Sequence, residues 1–213
     1  MQNVQAMRAE VRAEYERALD HVQGDEAFHT RFERFFTELR DPLVAVYGGD
    51  ERFPEQWRAL LDAVARAAAA REPELRRLDH EREITADWLH REQAVGYVPY
   101  VDRFAGTLRG VRERVPYLRE LGVSYLHLMP LLRARPQPND GGYAVADYGA
   151  VEPALGTMDD LRALGAELRR HGMALCVDVV LNHTAREHPW AQAALAGDER
   201  MLAFYRTFPD RTE

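Results

Sequence analysis

Three short apolar runs constrain the second half of this chain more than anything else in it. They are residues 96–101, 123–129 and 174–181. Each is shorter than a usual helix and rich in β-branched or aromatic residues, which suits a strand. Two stretches with helical spacing separate them. Val111, Val115, Leu118 and Leu121 fall three or four apart and end at Gly122. Leu161, Leu164 and Leu168 repeat that pattern and end at Gly172. The order β-α-β-α-β implies parallel strands joined by right-handed crossovers. Pro99 argues against a central place for the first run, and Pro130 stops the second. The third, rich in valine, is expected to be buried on both faces. Thr157 followed three residues later by Asp160 predicts a capping box at the second crossover helix.

The first ninety or so residues have a different rhythm. Val4, Met7, Val11, Tyr15, Ala18, Leu19 and Val22 mark one face of an amphipathic helix, with Gly24 at its end and Asp25 capping the next. Phe28, Phe32, Phe35, Phe36 and Leu39 mark a second helix, which Pro42 kinks or ends. Pro54 opens a third, which should bury Trp57, Leu60, Leu61 and Val64. Glu72-Pro73 opens a fourth through Leu75 and Leu78. Aromatic stripes at this spacing are core or docking faces.

Composition narrows the function. At 46% apolar and 30% charged, the chain has the balance of a globular protein. A net charge of −7 argues against a nucleic-acid partner. All 28 basic side chains are arginine, which excludes Schiff-base lysine chemistry and a P-loop lysine. A single cysteine, Cys176, excludes an internal disulfide and reads as a buried structural thiol. The sequence has neither a signal-like segment nor an apolar run long enough to span a membrane, so a cytoplasmic location and no membrane partner are expected.

Three polar clusters should meet where the parallel strands end: Asp102-Arg103 in a loop at 102–106, then Asn139-Asp140-Gly141-Gly142-Tyr143, then Asn182-His183. The second lies in a long polar loop, residues 133–156. Convergence of this kind is what a ligand pocket needs. A tyrosine ring can stack on a sugar, a carboxylate can accept its hydroxyl protons, and His183 can donate to a sugar oxygen. Asp178, inside an apolar run, needs a polar partner. His183, Glu187 and His188 lack the spacing of a zinc site, so no metal and no cofactor are expected.

Asp178-Val179-Val180-Leu181-Asn182-His183 resembles the first conserved region of the alpha-amylase family, glycoside hydrolase family 13. Gly122 to Pro130 resembles that family's second barrel strand. Within the family the likeness is to the amylosucrases. It rests on Tyr100 to Gly106, Tyr125 to Leu131, Asp140 to Val145, Ala154 to Leu161, Glu187 to Gln192 and Phe208 to Arg211. The helical first part resembles the all-helical domain that opens those enzymes.

The resemblance implies an α/β fold: a helical N-terminal domain over residues 1–92, then the first three βα units of an incomplete TIM (β/α)8 barrel over 93–213, reaching the start of the following insertion. It implies a sucrose-cleaving glucosyltransferase that releases fructose and passes glucose to an α-1,4-glucan by a retaining double displacement. Asp140, Tyr143 and His183 would bind substrate, and Asp102, Asp178 and Asn182 would support the pocket. The nucleophile and the acid/base would lie downstream, so this chain alone is expected to be inactive, and its open strand edges to make it unstable or prone to aggregate. Sucrose and an α-glucan acceptor are the expected partners, and the helical domain offers a surface for a homodimer. A sucrose hydrolase of the same family, and a sugar- or protein-binding truncation without catalysis, remain as alternatives.

Overall fold

The apolar stripes sort into two separate cores, one of aromatic rings and one of aliphatic chains. They belong to two compact units, residues 1–86 and 87–213. The structure, a computed structural model, describes residues 9–19, 26–136 and 138–208.

The first unit is helical: α1 (Ala9–Leu19), α2 (Glu26–Tyr47), α3 (Phe53–Ala69) and α4 (Pro73–Ile84). Val4, Met7, Val22, Gly24 and Asp25 lie outside the described residues. Tyr15, Phe36, Trp57 and Leu61 form the core, with Phe32, Leu43 and Phe53 against it. The Tyr15 and Phe36 rings meet edge-on at 5.5 Å between centroids, a favoured aromatic geometry. Helix α2 continues through Pro42 to Tyr47. In α3 the buried positions are Trp57, Leu61 and Ala65, a strict i, i+4 row. Leu60 lies off that row and is exposed, and Val64 is half-buried, against expectation. Helix α4 buries no residue, and the Arg71 guanidinium grips the Asp79 carboxylate in its middle by two hydrogen bonds of 2.5 and 2.6 Å.

The second unit holds β1 (Val95–Tyr97), β2 (Val123–Leu128), β3 (Leu132–Ala134), β4 (Val145–Val151) and β5 (Ala174–Val177). Its helices are α5 (Val101–Ala105), α6 (Leu108–Glu113), α7 (Val115–Glu120), α8 (Met158–Arg170), α9 (Pro189–Leu195) and α10 (Glu199–Leu202). Strands β1, β2 and β5 form a parallel sheet in that order, and β3 and β4 form an antiparallel pair. One sheet face, with Leu126, Leu128, Leu175 and Val177, packs on Leu108, Val111, Val115, Leu118, Leu164 and Leu168 of the crossover helices. Each fully buried leucine there stabilises the fold by roughly 1.5–3 kcal/mol. Thr157 accepts from Asp160 N and Asp160 from Thr157 N, the predicted capping box at the head of α8.

Several expectations need correction. The first strand spans Val95–Tyr97 rather than 96–101, and residues 101–105 are helical rather than a loop. Pro99 cannot donate to a ladder, although its carbonyl still accepts from Met129 N at 3.0 Å. The single helix expected through Val111, Val115, Leu118 and Leu121 is instead the two short helices α6 and α7, because Pro116 starts a new first turn, and Leu121 faces outward. The supposed loop 133–156 contains most of the antiparallel pair. The third strand ends at Val177 and is not buried on both faces. Beyond it β2 has ended at Leu128, so the chain has no ladder partner there. Val179 and Leu181 are 54% and 83% exposed in consequence. Cys176, expected to be buried, is only half so.

Candidate functional site

Parallel strands end on the same side, so the segments after Tyr97, Leu128 and Val177 gather there. The segment after β5 opens with Asp178, whose carboxylate has two partners. His127 Nε2 lies 2.7 Å from Oδ1, and Tyr143 OH donates to Oδ2 at 3.3 Å. Burial, then the Asp178 charge, pushes the Tyr143 phenol above its ordinary pKa, so the hydroxyl keeps its proton to donate. Asp178 thus finds the polar partner that a carboxylate in an apolar run requires.

Tyr143 reaches this point from the tip of the β3–β4 pair. Asn139 Oδ1 accepts from Gly141 N and Gly142 N, both at 2.8 Å, and Asp140 Oδ1 accepts from Ala144 N at 3.0 Å. Gly141 and Gly142 have φ of 85° and 94°, a region that side chains disfavour. A Cβ on Gly142 would stand 3.0 Å from Pro130 Cβ, so space as well as conformation demands glycine.

The segment after β5 is tied to the same hairpin. Ala185 N donates to Val145 O at 2.8 Å, and Tyr148 OH reaches Val180 O at 2.5 Å and His183 O at 3.2 Å. Asn182 and His183 are exposed, and with Tyr148, His188, Trp190 and Phe204 they line a cavity of about 1090 Å³. His188 is buried, its Nδ1 accepts from Trp190 N at 3.1 Å, and burial holds its pKa below the ordinary histidine value despite the nearby Asp147 charge. It therefore stays neutral near pH 7, as an acceptor must. Among the described residues no group of three His, Cys, Asp or Glu comes together to hold a metal ion.

The alpha-amylase profile described as "Alpha amylase, catalytic domain" matches residues 44–212. The chain belongs to the alpha-amylase family. That family comprises glycoside hydrolases and transglycosylases. The chain is 39% identical over 100 residues to trehalose-6-phosphate hydrolase of Escherichia coli (strain K12), covering 47% of this chain and 18% of that protein. It is 38% identical over 102 residues to probable oligo-1,6-glucosidase 2 of Bacillus subtilis (strain 168), covering 47% and 18%. Among solved structures it resembles a variant of the trehalulose synthase MutB of Pseudomonas mesoacidophila MX-45 from crystals soaked with trehalulose. There the TM-score is 0.51 at 33% identity, over 56% of this chain and 23% of that one. The chain thus spans less than a quarter of the length of these relatives. Its sheet is part of an alpha-amylase-family barrel domain, with helices and a few parallel strands.

Of the residues the sequence singled out, the structure joins Tyr143 to Asp178 directly. Asn182 and His183 line the cavity, and Asp140 closes the turn that presents Tyr143. Asp102 lies in the first turn of α5, pairs with its neighbour Arg103 at 3.4 Å, and makes no hydrogen bond to the Asp178 cluster among the described residues. Sequence reasoning passed over His127, Tyr148 and Trp190. For His127 a signal existed: Tyr125 and His127 alternate with Leu126 and Leu128, which marks a strand with one polar face. Tyr148 carried no comparable signal, because its role depends on a hairpin hidden in a polar stretch, and Trp190 meets the site from α9, its ring against His188 and Phe204.

In the helices and strands described, no helix is long and apolar enough to cross a membrane.

Proposed function

We propose that this chain forms one wall of the glucosyl pocket of a sucrose-cleaving glucosyltransferase of the amylosucrase type. The observation that carries the reading is the meeting of Tyr143 and Asp178 at the carboxyl ends of the strands, with Asn182 and His183 on the segment that follows. In the reaction a carboxylate attacks the anomeric carbon of the glucosyl unit while a second carboxyl protonates the departing fructose oxygen. The glucosyl unit is then transferred from the enzyme carboxylate to the 4-hydroxyl of a glucan, which gives up its proton to the same acid/base. Both groups belong to chain beyond this segment. Tyr143 stacks beneath the sugar ring, His183 donates to a sugar oxygen, and Asp140 and Asn182 shape the wall. The helical first unit is a separate domain ahead of the barrel and a surface for a homodimer, and the enzyme works in the cytoplasm. The likeness to a trehalose-6-phosphate hydrolase and to the trehalulose synthase MutB supports a sugar pocket here.

Sucrose turnover by the protein as its host makes it tests the proposal. Fructose release with an insoluble glucan supports it. Glucose and fructose in equal amounts point to the sucrose hydrolase. No turnover and an intact mass of 24.4 kDa would leave a binding role.

A further inference from the structure

The wall just described leaves one of its close contacts without a task. His127 Nε2 and Tyr143 OH take different oxygens of a single carboxylate, that of Asp178, at 2.7 and 3.3 Å. The arrangement follows from strand register. β2 and β5 run parallel with His127 opposite Cys176, and Asp178 comes two residues after Cys176, so it returns to the same sheet face. The His127 and Asp178 side chains are 26% and 23% exposed, shielded from water but not sealed. The Tyr125 ring lies beside the imidazole at a steep angle, 6.5 Å between centroids.

An ionised carboxylate only accepts, so the imidazole must offer N–H at Nε2. We infer that His127 is a positioning residue: its Nε2–H fixes the plane of the Asp178 carboxylate, and the carboxylate fixes the phenol of Tyr143. Tyr143 sits on a loop, next to two glycines with positive φ. Its ring has two side-chain torsions to lose, and anchoring the hydroxyl removes that freedom before a sugar arrives. The platform beneath the glucosyl unit is thereby set from the floor of the sheet, by a side chain that touches no sugar. This deepens the proposed function and rests on Tyr143 as the sugar platform.

Two measurements test it. The first is a two-bond proton–nitrogen correlation spectrum of the histidine-labelled wild-type protein, which needs no variant to fold. The expected result is a proton on Nε2 of His127, with a nitrogen shift that moves in Asp178→Asn. A bare Nε2, or a shift indifferent to Asp178, overturns the inference. The second is the affinity for sucrose of His127→Phe and His127→Gln. Phenylalanine keeps a ring without a donor, whereas glutamine places an amide N–H where Nε2 stood. About a tenfold loss for H127F and recovery to within about threefold of wild type for H127Q are expected, the scale of one hydrogen bond to a charged group. An H127F protein that binds like wild type, or an H127Q protein as weak as H127F, overturns the inference. If wild-type protein fails to bind sucrose, the glucosyltransferase reading falls, while the spectrum still decides whether His127 donates to Asp178.

Discussion

The two faces of the three-stranded sheet are built from the same strands and do opposite work. Leu126 and Leu128 point one way into a core whose members are sealed from water. Tyr125 and His127, their immediate neighbours, point the other way into a half-open polar layer with Cys176 and Asp178. The first face is non-directional: its leucines stabilise by area removed from water, and their exact partners matter little. The second is directional, since each group depends on one named atom opposite it. Stability should therefore respond chiefly to the first face and ligand binding chiefly to the second.

Leu128→Ala gives the largest effect on that view. A fully buried leucine cut to alanine costs about 2–5 kcal/mol. Denaturant unfolding of this unit should show it, and a loss under ~1 kcal/mol would mean that the core does not rest on this face. Asp178→Asn comes next. It weakens hydrogen bonds to His127 and Tyr143, for about 1–2 kcal/mol of stability, with a disproportionate loss of sugar binding. Equal losses from the two substitutions in both assays would break the comparison.

Smaller effects sharpen it on the helix side. Thr157→Ala removes the cap of α8, the helix that carries Leu164 and Leu168 to the apolar face, and should cost about 1 kcal/mol without touching sugar affinity. The least effect is a matter of pH. The Arg109 guanidinium first, and then the Thr157 hydroxyl, hold the Asp160 carboxyl at about 2, below its ordinary 3.8. A depressed carboxyl stabilises the fold fully above its unfolded value and loses that contribution as pH falls through the folded one. Melting temperatures of wild type and Asp160→Asn should differ above about pH 4 and converge toward about pH 2. The pair is exposed on the arginine side, so added salt should narrow the gap.

Much of this was legible in the residues. The strand–helix alternation requires parallel pairing, the Thr157–Asp160 spacing announces a cap, and a carboxylate at Asp178 demands a partner. Three things were not. Strand β4 reads Val-Ala-Asp-Tyr-Gly-Ala-Val, whose small and polar residues carry no hydrophobic alternation, so its pairing with β3 is a tertiary fact. The run 178–181 looks like strand, but a strand is defined by its neighbour, and β2 has already stopped. Asp102 seemed poised beside the other polar clusters, yet α5 turns its carboxylate toward Arg103. The first two turn on pairing with strands distant in sequence, and the third on a helical turn that brings Asp102 to its immediate neighbour.

Arg135 N donates to Ala144 O at 2.9 Å, closing the loop between the two short strands before the segment with Asn139, Asp140 and the glycine pair begins. That closure separates the tip from the sheet as a hinge post separates a gate from a wall. Insertions or deletions between the two residues would lengthen or shorten the gate and leave the strand register untouched. On the proposed reading, changes confined to this segment would reshape the pocket wall while the backbone pairing beneath it stayed as it is.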